Sequence, residues 1–200
     1  KLNNGEYTTE VPKATAAGEY KISYMVEGND NYNPTEAAEI NVTIANADSQ
    51  VTADGAINIT YNSTLELNAT VSINNTGLQT FALENQVEFV GMYGMLGGAS
   101  VRYNDDHTGG TATLSNIPVS RYNFAPGRNE ITARYGGGVS INGSDDNKII
   151  VNVEPIVLDL DWSNIEERDY DGTASNVTAS IASVYVPGDN VQVVVEGGDA

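Results

Sequence analysis

The sequence predicts an all-β protein made of layered antiparallel sheets, and three observations support this fold class. Apolar and polar side chains alternate with a period of two along most of the chain, as in half-buried strands. Thr, Val, Ile, Tyr, Asn and Gly are abundant, and these residue types favour strands and tight turns. Turn-forming pairs separate the alternating stretches. The 200 residues exceed one typical sandwich domain of about 100 residues, so several units are expected.

The most complete unit is predicted at residues 47–154. Seven alternating stretches lie there, which is the number of strands in a simple two-sheet sandwich. Their inward-facing residues are Ile57 and Ile59; Leu65, Leu67, Ala69, Val71 and Ile73; Val87 and Phe89; Val101 and Tyr103; Ala112 and Leu114; Ile131, Ala133 and Tyr135; and Ile149, Val151 and Val153. Turns are predicted at Asp54-Gly55, Asn74 to Gly77, Pro126-Gly127 and Asn142-Gly143.

Two partial units are predicted on either side of this sandwich. In residues 1–46, one strand face carries Tyr20, Ile22, Tyr24 and Val26, and the next carries Ile40, Val42 and Ile44. In residues 155–200, alternation includes Ile156, Leu158, Leu160 and Trp162, then Val177, Ala179 and Ile181, then Val191, Val193 and Val195. The first unit is expected to be the closing part of a sandwich and the last the opening part, as in a piece of a longer array.

Three stretches carry a family resemblance. Residues 17–24 (AGEYKISY), followed by 28–33 (GNDNYN), resemble the end of a bacterial immunoglobulin-like repeat. Tyr170-Asp171-Gly172-Thr173, with 187–191 (PGDNV) downstream, is similar to the start of such a repeat. The stretch 126–137 (PGRNEITARYGG) resembles the penultimate strand of a second bacterial immunoglobulin-like type. Residues 91–98 (GMYGMLGG) have no counterpart in that pattern.

The resemblance implies tandem immunoglobulin-like β-sandwiches on a bacterial cell surface, held by a cell-wall or membrane anchor outside this chain. It implies a stalk, spacer or adhesion role and no catalytic residue. The predicted partners are neighbouring repeats in the same chain and, for an adhesive module, a host glycan or host protein. Short linkers at residues 45–47 and 153–155 are expected to make the array a semi-rigid rod. The alternatives are a dedicated glycan- or protein-binding domain and an accessory module of an extracellular glycoside hydrolase.

Composition narrows the partners further. The 9 Lys and Arg residues against 27 Asp and Glu give a net charge of -18, which disfavours nucleic acid and anionic lipid. No cysteine is present, so disulfides, thiol catalysis and cysteine zinc sites are excluded. No apolar run approaches the roughly 18 residues of a membrane span. We expect no cofactor and no membrane insertion.

Candidate catalytic and metal groups are better explained as turn and surface residues. The single His107 lies in a turn-forming stretch, and a catalytic triad would depend on it alone. The carboxylate pairs lie at Asp105-Asp106, Asp145-Asp146, Asp159 with Asp161, and Glu166-Glu167. Calcium could be held by Asn29, Asp30 and Asn31 or by Ser144, Asp145, Asp146 and Asn147, although Asn and Asp equally favour turns. The chain is therefore predicted not to be an enzyme and to hold no metal.

Covalent modification offers two weaker alternatives. An isopeptide bond would require a buried lysine, and the central unit has only Lys148. Asn-x-Ser/Thr sequons begin at Asn41, Asn58, Asn62, Asn68, Asn74, Asn142 and Asn176, and a bacterial origin leaves them unmodified.

The best candidate for a binding surface is a short apolar stretch in the central unit. Met92, Tyr93, Met95 and Leu96 lie among glycines, in what the sequence predicts to be a flexible loop. Flexible apolar side chains suit adaptable contacts with a partner. The alternative is that this loop folds back over one end of the sandwich. Trp162 is predicted to be a core residue of the last unit.

Overall fold

The computed structural model describes residues 1–53, 55–73, 86–105, 108–163, 167, 169, 172, 178–183, 185–186 and 188–194. Thirteen strands and no helix occur in this part of the chain, which confirms the predicted all-β class. Several predicted motif residues lie outside the described residues: Asp54, 74–77, Asp106, His107, Glu166, Tyr170, Asp171, Thr173, Asn176, Val177, Pro187 and Val195.

The strands are numbered in chain order. They are β1 Gly18–Tyr24, β2 Ala38–Ile44, β3 Ser49–Ala53, β4 Ala56–Thr60, β5 Thr64–Ile73, β6 Gln86–Gly91, β7 Gly94–Ser100, β8 Arg102–Tyr103, β9 Gly109–Pro118, β10 Gly127–Tyr135, β11 Ser144–Glu154, β12 Leu160–Ser163 and β13 Thr178–Ile181.

Strands β3 to β11 form a sandwich of two sheets, called here the central sandwich. One sheet has four strands in the order β3-β5-β9-β8, and the other has five in the order β4-β11-β10-β6-β7. All neighbouring pairs are antiparallel except β4 and β11, which run parallel from Ala56 beside Ile150 to Thr60 beside Glu154. The chain thus contributes β3 to one sheet and β4 to the facing sheet.

The predicted alternation places the core correctly. Every second residue of β5 from Leu65 to Ile73 is buried, and so are Ile131, Ala133 and Tyr135 of β10. The core side chains come from both sheets, so the two apolar faces bury each other. The largest fully buried side chains in this cluster are Tyr135, Phe89, Phe124, Leu67, Ile131 and Ile149.

Two strands of the sandwich are absent from the predicted set. Strand β3 was not predicted, and β7 lies where the glycine-rich stretch predicted a loop. The prediction of a loop was wrong because the glycines serve a close approach: a Cβ at Gly97 would lie 3.0 Å from the Leu114 side chain of β9. Tyr103 was predicted to face inward, but it is exposed on the two-residue strand β8.

Buried polar groups are satisfied at two places in the sandwich. The Asn129 side chain donates to the carbonyls of Ala125 (2.8 Å), Gly127 (2.9 Å) and Val151 (3.3 Å) and accepts from the Ala125 N–H (2.8 Å). This network shapes the turn before β10, where Gly127 has a positive φ of 83°. The buried Asp146 carboxylate accepts from the backbone N–H of Ala53 at 3.3 Å.

A small sheet lies at each end of the chain. The N-terminal sheet is β1 paired with β2, extended by an isolated bridge from Leu2 to Ile22. The C-terminal sheet is β12 paired with β13. Both ladders have the predicted side-chain alternation, but their apolar faces are largely exposed, including Trp162, which was predicted to be a core residue. No second layer covers these faces within the described residues.

Near both ends of the chain, the alternation of apolar and polar residues predicts more strand than the structure contains. Val26 was predicted to continue β1, but it lies beyond Tyr24 and is exposed. Val191 and Val193 were predicted to form a strand, yet neither lies in one of the strands that the structure describes. A period of two marks which residues could pair, whereas a strand also requires a neighbouring chain to accept its hydrogen bonds.

The chain enters and leaves the central sandwich at opposite ends. Ala47, before β3, pairs with Ile141 in the connection from β10 to β11, next to the start of β11 at Ser144. The chain leaves at Glu154, the last residue of β11. Eleven residues of extended strand separate these ends by roughly 35 Å.

Candidate functional site

The predicted binding stretch forms the tip of an edge hairpin. Met92 and Tyr93 make the turn between β6 and β7, and Met95 follows at the start of β7, the outer strand of the five-stranded sheet. Their exposed fractions are 63% for Met92, 56% for Tyr93 and 57% for Met95. Leu96 instead packs against the core. The structure therefore brings three of the four predicted residues together at the surface, and the stretch does not fold back over an end of the sandwich.

A second candidate surface is the junction between the N-terminal segment and the central sandwich. Asn142 donates through Nδ2 to Asp48 Oδ1 at 2.9 Å and accepts through Oδ1 from Asn46 Nδ2 at 3.1 Å. The Asn142 backbone N–H also donates to the carbonyl of Ala47 at 2.8 Å. The linker is thus hydrogen-bonded along its length to one loop of the sandwich.

The loop that receives this linker has a fixed shape. Gly137 has a φ of 80°, and a Cβ there would lie 2.6 Å from the carbonyl oxygen of Ile141. Ser140, in the same loop, accepts through Oγ from the backbone N–H of Ala17 at 3.1 Å. This bond links the stretch just before β1 directly to the sandwich. The N-terminal segment is therefore held by contacts just before β1 and just after β2, at one end of its sheet.

The opposite junction is held by an ionic and hydrogen-bonded cluster. Tyr61, just after β4, donates through its hydroxyl to Asp189 Oδ2 at 2.9 Å and accepts from the backbone N–H of Arg121 at 3.1 Å. Arg121 Nε lies 3.6 Å from Asp189 Oδ1, and Arg121 Nη1 donates to the carbonyl of Gly188. We call Tyr61, Arg121 and Asp189 the junction triad. It joins the central sandwich to the segment after β13.

Glycine is required beside this triad. Gly188 has a φ of 87°, and a Cβ at that position would lie 2.5 Å from Arg121 Nη2. A larger residue would be strained in this backbone conformation and would displace the guanidinium group. The turn that contains Gly188 and Asp189 is therefore shaped for Arg121.

Burial alters the titration of Tyr61. Desolvation raises the pKa of the Tyr61 hydroxyl above its usual value of 10.0, and the adjacent Asp189 carboxylate raises it further by disfavouring a second negative charge. The backbone N–H and positive charge of Arg121 oppose this effect. Tyr61 therefore keeps its proton, and with it the hydrogen bond to Asp189, over the neutral range.

The three triad residues line part of an apolar groove of about 280 Å³. Its walls combine the buried Phe124 and Val153 of the sandwich with Ile156, Leu158 and Val191 from the following segment. Apolar side chains of the two segments therefore face the same groove beside the triad. Ile156 and Leu158, predicted to lie on a strand, contribute to this junction instead.

The other predicted sites have structural roles where they are described. Asn29 Oδ1 accepts from the backbone N–H groups of Asn31 at 2.9 Å and Tyr32 at 3.0 Å, as in a turn. Asp145 lies 3.4 Å from Arg134, and Asp159 accepts from the Ser183 hydroxyl at 3.3 Å. Over the described residues, no group of three or more His, Asp or Glu side chains could hold a metal ion.

The lysine proposed for an isopeptide bond lies at the surface. Its side chain is 78% exposed, so Lys148 does not have the burial that this reaction requires. The oxygen that it faces, Asp146 Oδ1, is 3.8 Å away and also accepts from the Lys148 backbone N–H at 3.2 Å. The geometry does not support an isopeptide bond at this position.

Sequence reasoning predicted short linkers at residues 45–47 and 153–155, but it missed the contacts that hold the two junctions. The partners Tyr61 and Asp189 are 128 positions apart, and no periodic pattern links them. One signal was present: the turn-forming stretch 187–191 was recognised as a motif, and it places Asp189 at the junction.

Comparison with known proteins gives no match: no family model matches this sequence, and no curated protein is similar to it at a significant level. In the residues that the structure describes, no helix is long and apolar enough to cross a membrane.

Proposed function

We propose that the chain is a segment of a bacterial cell-surface protein in which tandem immunoglobulin-like sandwiches act as a non-catalytic spacer. The observation that carries this proposal is the path of the chain, which enters and leaves the central sandwich at opposite ends. Sandwich units that the chain enters at one end and leaves at the other form an extended array. If the chain entered and left each unit at the same end, neighbouring units would lie side by side.

The strand order supports the immunoglobulin-like assignment. Sheets β3-β5-β9-β8 and β4-β11-β10-β6-β7 have the order of an immunoglobulin sandwich in which the first strand is divided between the two sheets and one strand is added at an edge. Strand β10 then occupies the penultimate position, where the sequence 126–137 resembles a bacterial repeat of this type.

The two junctions support a semi-rigid spacer. Asn142 holds the incoming linker by donating to Asp48 and accepting from Asn46, and the junction triad holds the outgoing segment. A linker fixed by several short-range contacts loses the freedom of a flexible chain. The neighbouring units in the same chain are therefore the principal partners.

A distance measurement between the two ends tests the spacer. Because the chain has no cysteine, introduced cysteines in Glu36→Cys and Ser180→Cys are the only sites for spin labels. We expect a narrow distribution centred beyond roughly 35 Å, the length of β11. A broad distribution that extends to short distances would contradict a semi-rigid spacer.

An adhesive role is the second candidate, favoured by the exposed Met92, Tyr93 and Met95 at one hairpin tip. A host protein or glycan that binds there should be captured less when these three residues are replaced by Ser. Val139→Ser is a matched control, because Val139 is an exposed apolar residue away from the tip. Undiminished capture by the tip variant would eliminate this placement.

A further inference from the structure

The loop that receives the incoming linker contains an Asn-Gly pair, Asn142-Gly143. Asparagine is one of the thermally labile residues. Its side-chain amide can be attacked by the backbone nitrogen of the next residue, and a glycine there leaves the attack unhindered because it has no Cβ. Both residues are exposed and lie outside the strands, so water reaches them. The pair therefore has the chemistry of a deamidation site.

The fold requires both members of this pair. A Cβ at Gly143 would lie 2.6 Å from the carbonyl oxygen of Tyr135, a backbone atom that cannot turn aside. Asn142 is required because its amide both donates to Asp48 and accepts from Asn46. The contacts that build the incoming junction therefore keep a labile sequence within it.

Deamidation of Asn142 needs no reagent other than water. The backbone nitrogen of Gly143 gives up its proton and bonds to Asn142 Cγ, while the Cγ–Nδ2 bond breaks and Nδ2 leaves as ammonia. Water then opens the cyclic imide at one or the other of its carbonyls. One product is aspartate, and the other is isoaspartate, in which the main chain continues through Cγ. The balance is one water consumed and one ammonia released.

Either product removes the contacts of this amide. A carboxylate cannot donate the 2.9 Å hydrogen bond to Asp48, and it places a second negative charge beside that residue. In isoaspartate the main chain is also one atom longer, so the backbone bonds of residue 142 to Ala47 (2.8 Å) and Ser49 (2.6 Å) lose their register. Because ammonia is lost, the opened junction does not close again.

The docked linker in turn protects Asn142. Hydrogen bonds hold both ends of its amide, and its backbone N–H and carbonyl are bonded to the linker as well. An amide held in this way cannot readily turn its Cγ toward the nitrogen of Gly143, so the attack requires the linker to detach first. The rate then follows the fraction of molecules in which the linker is detached, as for other reactions of locally opened states.

We propose that Asn142 is a site of spontaneous deamidation, and that this modification irreversibly converts the incoming junction from a docked linker to a free one. The central sandwich keeps its fold, because Asn142 is exposed and lies outside the core. The chemistry at Asn142 does not depend on the spacer function. Its mechanical consequence, a spacer that becomes flexible as it ages, rests on that function.

Peptide mapping by mass spectrometry measures the modification. The full chain is kept folded in mildly alkaline buffer, and deamidation is followed at Asn142 and at Asn4, whose own Asn-Gly pair lies in an exposed turn and is an internal reference. Asp48→Ala and Asn46→Ala each remove one hydrogen bond to the Asn142 amide, the latter without a change of charge. We expect each to raise the rate at Asn142 about fivefold, the effect of one such bond, with an unchanged rate at Asn4.

Asp30→Ala is the matched control for the loss of a carboxylate. Asp30 is exposed and lies in the connection between β1 and β2, at the end of the N-terminal sheet away from the junction. Its replacement should leave the rate at Asn142 equal to that of the unsubstituted chain. Equal rates at Asn142 in all of these chains overturn the proposal. So does an Asn142 that stays an amide in Asp48→Ala while Asn4 is converted.

Spin-label distances show what the modification does to the junction. The labels are placed at Glu36→Cys in the N-terminal segment and Ser100→Cys in the sandwich, and Asn4→Ser removes the reference site so that any change belongs to Asn142. We expect a narrow distribution that broadens in proportion to the deamidated fraction. A distribution that stays narrow in deamidated chains overturns this proposal alone. A distribution that is broad before deamidation contradicts the semi-rigid spacer, and with it the docked state from which the proposal starts.

Discussion

The Tyr61 hydroxyl donates a hydrogen bond of 2.9 Å to the Asp189 carboxylate across the outgoing junction of the central sandwich. The same hydroxyl accepts from the backbone N–H of Arg121, which belongs to the sandwich. One oxygen therefore connects two parts of the chain, and its removal should affect their relative order more than the stability of either part.

Tyr61→Phe is expected to loosen the outgoing junction. The substitution removes both hydrogen bonds of the hydroxyl, each worth about 0.5–1.5 kcal/mol, while the ring stays. Amide hydrogen exchange should accelerate around Gly188 and Val191, with the sandwich strands unchanged. Tyr93→Phe removes an exposed hydroxyl at the hairpin tip and should have no such effect. Unchanged exchange at the junction in Tyr61→Phe would show that the triad does not hold it.

The same junction should weaken in alkali. The pKa of Tyr61 is raised in the folded chain, so its contribution to stability is complete below pH 10 and declines as pH rises through the folded value. Ultraviolet titration should show Tyr61 ionising after an ordinary tyrosine, and junction exchange should accelerate in the same pH range. In Tyr61→Phe the amplitude of this late phase should fall by one tyrosine. An undiminished late phase in that variant would assign it to other tyrosines.

Asn142→Asp is expected to release the incoming linker. The new carboxylate cannot donate the 2.9 Å hydrogen bond that Asn142 gives to Asp48. It also places a second negative charge next to the Asp48 carboxylate, and the two charges repel each other. Spin-label distances between the N-terminal sheet and the sandwich should broaden. Asn33→Asp, an exposed loop residue with the same change of charge, is the control. Equal distributions in both variants would contradict the role of Asn142.

Asn129→Ala should destabilise the central sandwich by about 2–4 kcal/mol, because it leaves buried carbonyls and the Ala125 N–H without their partner. The midpoint of urea unfolding measures this loss. Asn58→Ala, on an exposed position of β4, should cost less than about 0.5 kcal/mol. A similar midpoint for the two variants would be inconsistent with a network centred on Asn129.

The hairpin tip should tolerate substitution where it is exposed. Replacing Met92, Tyr93 and Met95 by Ser should change stability by less than about 1 kcal/mol in total, since these side chains lie largely in water. Leu96→Ser should cost about 1–3 kcal/mol, because Leu96 packs against the core. Thermal unfolding of both variants distinguishes the exposed tip from its buried neighbour.

Local periodicity predicted much of the fold and little of the candidate sites. Leu67 and Val71 face inward because alternate strand residues share a face, and this rule requires no knowledge of distant residues. Strand β7 was missed because Gly97 is explained by the close approach of the Leu114 side chain, which lies on another strand. The exposure of Trp162 depends on whether a second layer is present, and the pairing of Tyr61 with Asp189 depends on how the whole chain is arranged.

Tension on the proposed spacer would act on two particular strands of the central sandwich. Strands β4 and β11 run parallel, from Ala56 beside Ile150 to Thr60 beside Glu154. Because the chain enters before β4 and leaves after β11, tension pulls the two strands along their length in opposite directions. The hydrogen bonds of this ladder are then loaded together in shear, rather than one after another as in a hairpin pulled open.

Single-molecule extension of the chain from residue 1 to residue 200 tests the central claim most directly. We expect the central sandwich, residues 47–154, to unfold in one discrete step that lengthens the molecule by roughly 340 Å, the length of its extended chain at about 3.5 Å per residue less the roughly 35 Å that the folded sandwich already spans. Extension without a discrete step, or release of the same length in several small steps at low force, would contradict a spacer that resists tension.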